Sequence, residues 1–254
     1  MRGRRVSASA RVVQHPVRLS IITVCRNEQE HIADTAESIS GQTFREFEWI
    51  VVDGLSEDGT VRILSPYKAH IHTLLSERDN GVYHAMNKGA RLARGEYLLF
   101  LNGGDMLAGD NVLQESFAVP GCADILIGDM IARRHDGTQR VMTCNDDMLK
   151  PQHLWTASFP HPSTFIRREL FVALNGYDES FRIAADYDLF ARAVLANCAS
   201  IGLLRRVVSI FRVGGLSTAS KWRALRDAES QRIRRRYTPK WELLKRGVAS
   251  WRHS

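Results

Sequence analysis

The sequence predicts an α/β fold: one domain on a mostly parallel sheet, with a second half that departs from that rhythm. Three observations predict it. Apolar runs such as LSIITVC (Leu19 to Cys25) are continuous rather than alternating, as in strands covered on both faces. Helix-period segments separate successive runs, giving a β-α-β-α-β-α-β order that favours parallel strands and right-handed crossovers. The runs then break into polar, acidic loops, and in open α/β sheets that edge is where ligands bind.

The elements follow in order. After Leu19 to Cys25 comes Arg26-Asn27-Glu28, then a helix to about Ser40 with Ile32, Ala36 and Ile39 at helix spacing, ended by Gly41. Phe47 to Val52 is the second strand, and Ser56 or Asp58 can cap a helix running to about Leu64. Ile71 to Leu75 is a third strand. A loop from Glu77 to Gly81, a helix from Val82 to Ala93 and a strand from Glu96 to Leu101 lead into Asn102-Gly103-Gly104-Asp105. Beyond it the sequence suggests a helix (Asp110 to Phe117), a strand (Ala123 to Gly128), strand-like pieces between Asp129 and Asp147, and a strand from Thr164 to Ile166. A helix near Arg168, a turn at Asn175 to Asp178, a helix from Ile183 to Ala196 and a strand from Leu203 to Ile210 complete the body. No internal repeat or low-complexity linker divides the chain, so one domain is expected.

At 254 residues the chain is long enough to bury a core, and 44% apolar with 25% charged residues is an ordinary soluble composition. Cys25, Cys122, Cys144 and Cys198 are scattered, without a CxxC pair, and read as free thiols in a reducing compartment. No apolar run approaches the ~20 residues that span a bilayer. The N-terminal segment lacks the apolar core of a secretory signal.

The net charge of +7 is unevenly spread. Residues 1–18 hold five arginines and no acid, whereas 221–254 hold eleven lysines and arginines against three acids, so the body between them is mildly acidic. Basic ends on an acidic body suit contact with an anionic surface and not a site that grips nucleic acid. Residues 1–18 are therefore read as a flexible basic leader, 19–216 as the domain, and 217–254 as a basic, amphipathic helical tail. Trp241, Leu244, Val248 and Trp251 form the tail's apolar stripe, which suits either an anionic membrane interface or packing on the body.

Three acidic loops, Asp53 to Asp58, Glu77 to Asp79 and Asp105, follow three strands that would bring them to one crevice. Carboxylates gathered there repel phosphate unless a divalent cation stands between them, and one or two carboxylates plus substrate phosphates and water is the usual magnesium or manganese arrangement. Neither GxxxxGK[ST] nor GxGxxG is present, so a P-loop and the standard dinucleotide fingerprint are excluded. Each acid also has a plainer reading: Asp53 and Asp58 as helix caps, Asp105 as a turn residue, Asp186 as a helix-start residue favoured by the dipole. His161 suits either a ligand contact or a structural hydrogen bond. Arg78 and Lys88 suit phosphate contacts, or for Lys88 a solvated helix face.

TVCRNE, VVDGLSEDGT and ERDNGVYHAMNKGARLARGEYLLFLNGGD resemble the family-2 glycosyltransferases of the GT-A fold, over about Leu19 to Leu216. The resemblance implies a Rossmann-like nucleotide-sugar-binding half (19–105) and an acceptor half (106–216). By that match Asp53 contacts the base of a nucleoside-diphosphate-sugar, with Thr23, Arg26, Asn27, Asp79 and Asn102 in the same pocket. Asp105 takes the place of the last acid of the DxD metal motif and would hold Mn2+ or Mg2+. The chain departs from that motif in having Asn102-Gly103-Gly104 before it.

Ala185-Asp186-Tyr187-Asp188-Leu189 resembles the family's ED-type motif, which makes Asp186 the general base. Inverting transfer wants a carboxylate within hydrogen-bond reach of the acceptor hydroxyl. Asp186 and Asp188, two apart on a helix, point in different directions, so only one faces the site. Phe211 to Ser217 resembles an FxxGGxS segment whose Gly214 and Gly215 allow backbone approach to phosphate, or make a plain loop.

The expected activity is an inverting, metal-dependent transfer of a sugar to a hydroxyl of a polysaccharide or lipid-linked glycan. The chain would work in the cytoplasm, either free or peripheral at the inner face of the plasma membrane. Two other readings stand beside it: a nucleotidyltransferase acting on sugar phosphates, whose glycine-rich loop after the first strand is missing, and a non-catalytic nucleotide-sugar or membrane-binding module.

Overall fold

The computed structural model describes residues 17–118, 123–215, 218–240 and 242. The first half alternates as expected: β1 (Leu19–Cys25), α1 (Ile32–Ser40), β2 (Phe47–Asp53), α2 (Thr60–Leu64), β3 (Thr73–Ser76), α3 (Val82–Leu92) and β4 (Tyr97–Phe100). These four strands are parallel in the order β3-β2-β1-β4. All seven β1 residues are buried because both faces are covered. Leu19 and Ile21 join the core under α1, with Trp49 and Ile39. Ile22 and Val24 join the core under α3, with Met86 and Ala90.

The second half comprises β5 (Met106–Leu107), α4 (Val112–Ser116), β6 (Ile125–Arg133), β7 (Gln139–Met142), β8 (Thr164–Arg167), α5 (Arg168–Ala173), α6 (Ala185–Ala191), β9 (Ile201–Arg212) and α7 (Arg223–Tyr237). It continues the same sheet. β8 lies antiparallel between β4 and β6, β9 runs parallel to β6, and β5 pairs antiparallel with β9. β7 forms a hairpin with β6. The sheet is therefore parallel through the first half and mixed beyond β4, one domain without a break between its halves.

Most differences from the expected boundaries are of one or two residues, where ends fray. Two are larger. The helix expected from Ile183 starts at Ala185, because the amides of Arg182, Ile183 and Ala184 are bound to a side chain of α7. After Ala191 it widens into a π-helical stretch, Arg192–Ala196. The strand expected to end at Gly128 continues to Arg133 across register shifts between Ile127 and Met130.

The segment read as a tail from residue 217 contains α7, and α7 is packed on the body. Ile233 is fully buried in the α3-side core, and the Tyr237 hydroxyl lies 3.2 Å from Asp188 Oδ1. The stripe of Trp241, Leu244, Val248 and Trp251 lies outside the described residues, as do most of the leader and Cys122. Cys25 and Cys144 are buried free thiols and Cys198 is an exposed one. Among the described residues no helix is long and apolar enough to cross a membrane.

Candidate active site

The carboxyl ends of β1 to β4 open into a cavity of about 1190 Å³, walled on the other side by residues before and within α6 and after β9. It lies on the α3 side of the sheet, and this decides which predicted residues reach it. Arg26, Asp79, Asn102, Asp105, His161, Asp186 and Gly215 all line it; Thr23, Asn27, Asp53 and Gly214 do not.

The four exceptions have local causes. Thr23 is on the α1 face of β1, fully buried, where its Oγ1 accepts from Trp49 Nε1 at 2.9 Å. Alternation along a strand sends it away from the cavity. Asp53 is also fully buried, and its carboxylate accepts from the Ser56 amide (3.0 Å), the Ser56 hydroxyl and the Ser76 hydroxyl (2.6 Å). It ties the end of β2 to the end of β3, and Gly54 takes the lining position beside it. Asn27 is an exposed residue with φ +54°; its amide donates to Ser56 Oγ and its Oδ1 accepts from the Glu57 amide, both at 2.9 Å. The Gly214 amide, at φ +122°, donates within its own turn to Thr218 Oγ1 at 2.7 Å. Asp58 is not the N-cap of α2, which is Gly59; it accepts from the Thr60 amide at the helix start (2.9 Å) and from the Gln29 amide (3.1 Å).

On the first-half side, Asp79 is nearly buried and held by Lys88 Nζ at 2.7 Å. Lys88 Nζ also reaches Glu77 Oε1 (2.6 Å) and donates to the Arg78 carbonyl (2.8 Å), so it is neither a solvated helix residue nor free for a phosphate. Burial alone would lower the Lys88 pKa, but the hydrogen bonds that it donates to Asp79 and Glu77 raise it. His84 Nδ1 stands 3.7 Å from the same Asp79 oxygen.

At the end of β4, the Asp105 amide donates to the Asn102 carbonyl at 3.0 Å, turning the chain so that both side chains reach the cavity. Asp105 is 4% exposed, and burial pushes its carboxyl up to about 7 despite the Arg212 amide that donates to it at 3.1 Å. Glu28, whose own pKa is raised by burial, lies 3.7 Å from the Arg212 guanidinium and adds to the negative field on Asp105. Among the described residues no three His, Cys, Asp or Glu side chains gather as a metal cage. The site instead offers the Asp105 carboxylate and a buried Asn102 Oδ1 with no hydrogen-bond partner. Those oxygens fit a hard cation that takes its remaining ligands from substrate and water.

On the second-half side, Asp186 lines the cavity while Asp188 is fully buried and paired with Arg192 Nε at 2.6 Å. The Tyr83 hydroxyl, from α3, contacts the Ile183 carbonyl at 2.5 Å and Asp186 Oδ1 at 3.1 Å. His161 Nε2 is 2.7 Å from the Tyr177 hydroxyl, and its ring stacks on Phe100 with centroids 5.6 Å apart. Burial lowers the His161 pKa and favours a neutral ring, opposed by the negative charge of Asp186.

Tyr83, Glu28 and Arg212 were not picked out from the sequence. Tyr83 had a usable signal, since it falls one helical turn before Met86 and Asn87 on a face that the strand pattern requires to be buried.

Three comparisons bear on this arrangement. An uncharacterised glycosyltransferase of Mycobacterium tuberculosis is 33% identical over 181 residues, covering 70% of this chain and 69% of its own. A PGL/p-HBAD biosynthesis glycosyltransferase of Mycobacterium bovis is 32% identical over 206 residues, 78% of each chain. Among solved structures, residues 1–349 of TarS from S. aureus with UDP-GlcNAc superpose with a TM-score of 0.65 at 22% identity, covering 80% of this chain and 61% of that one. The mannosyltransferase PcManGT from Pyrobaculum calidifontis, in complex with GDP-Man and Mn2+, gives 0.63 at 21%, covering 82% and 60%. The chain thus spans about three fifths of these two solved structures. The model of glycosyl transferase family 2 matches residues 20–171, from β1 into α5, and the chain belongs to that family.

Proposed function

We propose that this glycosyltransferase moves a sugar from a nucleoside-diphosphate donor to a hydroxyl of a polysaccharide or lipid-linked glycan, with inversion at the anomeric carbon. One observation carries the residue assignments: Asp79, Asp105 and Asp186, from three separate parts of the chain, line the same cavity at the carboxyl edge of the parallel strands. The names of relatives support the substrate classes, since one acts in PGL/p-HBAD biosynthesis and the solved structures hold UDP-GlcNAc or GDP-Man.

In this reading Arg26, Asp79 and Gly54 hold the nucleotide at the ends of β1 to β3. Asp186 accepts the proton of the acceptor hydroxyl as the new carbon–oxygen bond forms, while the bond to the diphosphate breaks and its electron pair leaves with the diphosphate. Attack from the face opposite the leaving group inverts the configuration. Tyr83 orients the Asp186 carboxylate, and Phe159 and Phe181 add apolar wall to the same cavity. A Mn2+ or Mg2+ ion, held by Asp105 and Asn102, would supply positive charge to the leaving diphosphate.

The test is release of nucleoside diphosphate from a panel that includes UDP-N-acetylglucosamine and GDP-mannose, with manganese present. Asp186→Asn and Asp105→Ala should each lose at least ~100-fold in turnover. Near-wild-type turnover in either variant removes that residue from its role.

A further inference from the structure

Helix α7 contributes a carboxylate that reaches into the main body. Glu229 is 8% exposed, and its two oxygens accept three successive backbone amides: Arg182 at 2.7 Å, and Ile183 and Ala184 at 2.9 Å each. These three residues lead directly into α6, whose second residue is Asp186. The same segment is gripped again by aromatic contacts. The Arg232 guanidinium of α7 lies 4.6 Å from the Phe181 ring centroid, and that of Arg182 lies 4.4 Å from the Trp222 centroid just before α7. From the opposite side Tyr83 binds the Ile183 carbonyl and Asp186 itself.

The segment from Phe181 to Ala184 is thus fixed between α3 and α7. A buried carboxylate that collects three amides costs desolvation, and those charge-assisted hydrogen bonds offset it only while the segment keeps this one shape. We infer that Glu229 is a positioning residue for the transfer reaction: it holds the backbone ahead of α6 so that Asp186 meets the acceptor hydroxyl in reacting geometry. The inference rests on the assignment of Asp186 as general base. It makes the chain beyond β9, which lies outside the family-model match, part of the apparatus that carries the base.

The near-isosteric Glu229→Gln keeps the side chain's size but replaces one accepting oxygen with an NH2 that confronts backbone N–H groups. The measurements use the full chain with whichever of UDP-N-acetylglucosamine or GDP-mannose it turns over in manganese. The expected kcat of Glu229→Gln falls by ~10- to 100-fold, the scale of a small misplacement of a catalytic group. The affinity for UDP or GDP, bound at the other half of the cavity, should stay within about twofold. Hydrogen exchange should quicken in the peptide spanning 181–186. Glu229→Asp, which restores the charge, should recover part of the kcat. In an Asp186→Asn background, Glu229→Gln should add less than about threefold, because the group it positions is already disabled.

Unchanged kcat and exchange in Glu229→Gln, with Asp186→Asn inactive, overturn the role of Glu229 alone. A kcat loss matched by an equal loss of nucleotide affinity makes Glu229 a general stabiliser and also overturns it. An active Asp186→Asn overturns the base assignment first and the inference with it.

Discussion

Lys88 Nζ lies 2.7 Å from Asp79 Oδ1, so the acid that lines the first-half side of the cavity carries its own counter-charge from α3. Replacing the lysine leaves an almost buried carboxylate without a cation. Lys88→Met is expected to destabilise the fold by about 2 kcal/mol and weaken binding of UDP or GDP about tenfold. Urea denaturation and titration calorimetry check the two effects, and an unchanged nucleotide affinity would confine Lys88 to a stabilising role.

Tyr83→Phe removes one oxygen and leaves the ring packed on Tyr177, 5.2 Å away between centroids. The Ile183 carbonyl and Asp186 both lose their partner. Turnover should drop about tenfold with nucleotide affinity retained, measured by diphosphate release beside binding.

Asp105 gives a pH signature. Its folded-state pKa of about 7 lies above the ordinary 3.8, so between those values the native state holds a proton that the unfolded chain has lost. The stability this confers is fully present below about pH 4 and is lost as pH rises through 7, by at most ~1.4 kcal/mol per pH unit. Denaturation curves in a chelator between pH 5 and 8 should show that decline in the wild-type protein and a shallower one in Asp105→Asn. Glu28, also raised, keeps some slope in the variant. Equal slopes would remove Asp105 as its source.

Gly89 packs α3 against β1, and a Cβ there would stand 2.5 Å from Ile22 Cγ2, in the core. Alanine gains ~1 kcal/mol of helix propensity over glycine, but overpacking costs ~1–3 kcal/mol. With Ile22 fully enclosed, Gly89→Ala should come out net destabilising in urea, and a stabilised variant would mean that the sheet yields.

What the sequence disclosed tracks how local the cause is. Leu19–Cys25 was legible to the residue, because seven consecutive buried positions between two helical layers leave a continuous apolar run. The two-residue β5 carries no such pattern and went unread, and the fully exposed β7 was read only as one of the strand-like pieces between Asp129 and Asp147. In the site, strand-end positions pointed to Asp53, Asp79 and Asp105, and the last two line the cavity. Resemblance to the family's motifs pointed to Thr23, Arg26, Asn27, Asp53, Asp79 and Asn102; Arg26, Asp79 and Asn102 line the cavity, whereas side-chain alternation turns Thr23 away and two serine hydroxyls hold Asp53. Glu229 and Tyr83 act on partners 45 to 103 residues away, and no local spacing announces such a pairing.

The insertion of β8 beside β4 has a consequence for anyone recombining this enzyme with its relatives. Tyr97, Leu98 and Leu99 are paired with Arg167, Ile166 and Phe165, so the seam between the first and second halves of the chain is a hydrogen-bonded ladder and not a hinge. A fragment ending at Asp105 would bare an apolar strand edge and invite aggregation. A chimaera that exchanges second halves at that point would have to carry a matching β8, so the second half and the integrity of the sheet pass on as a single inherited block.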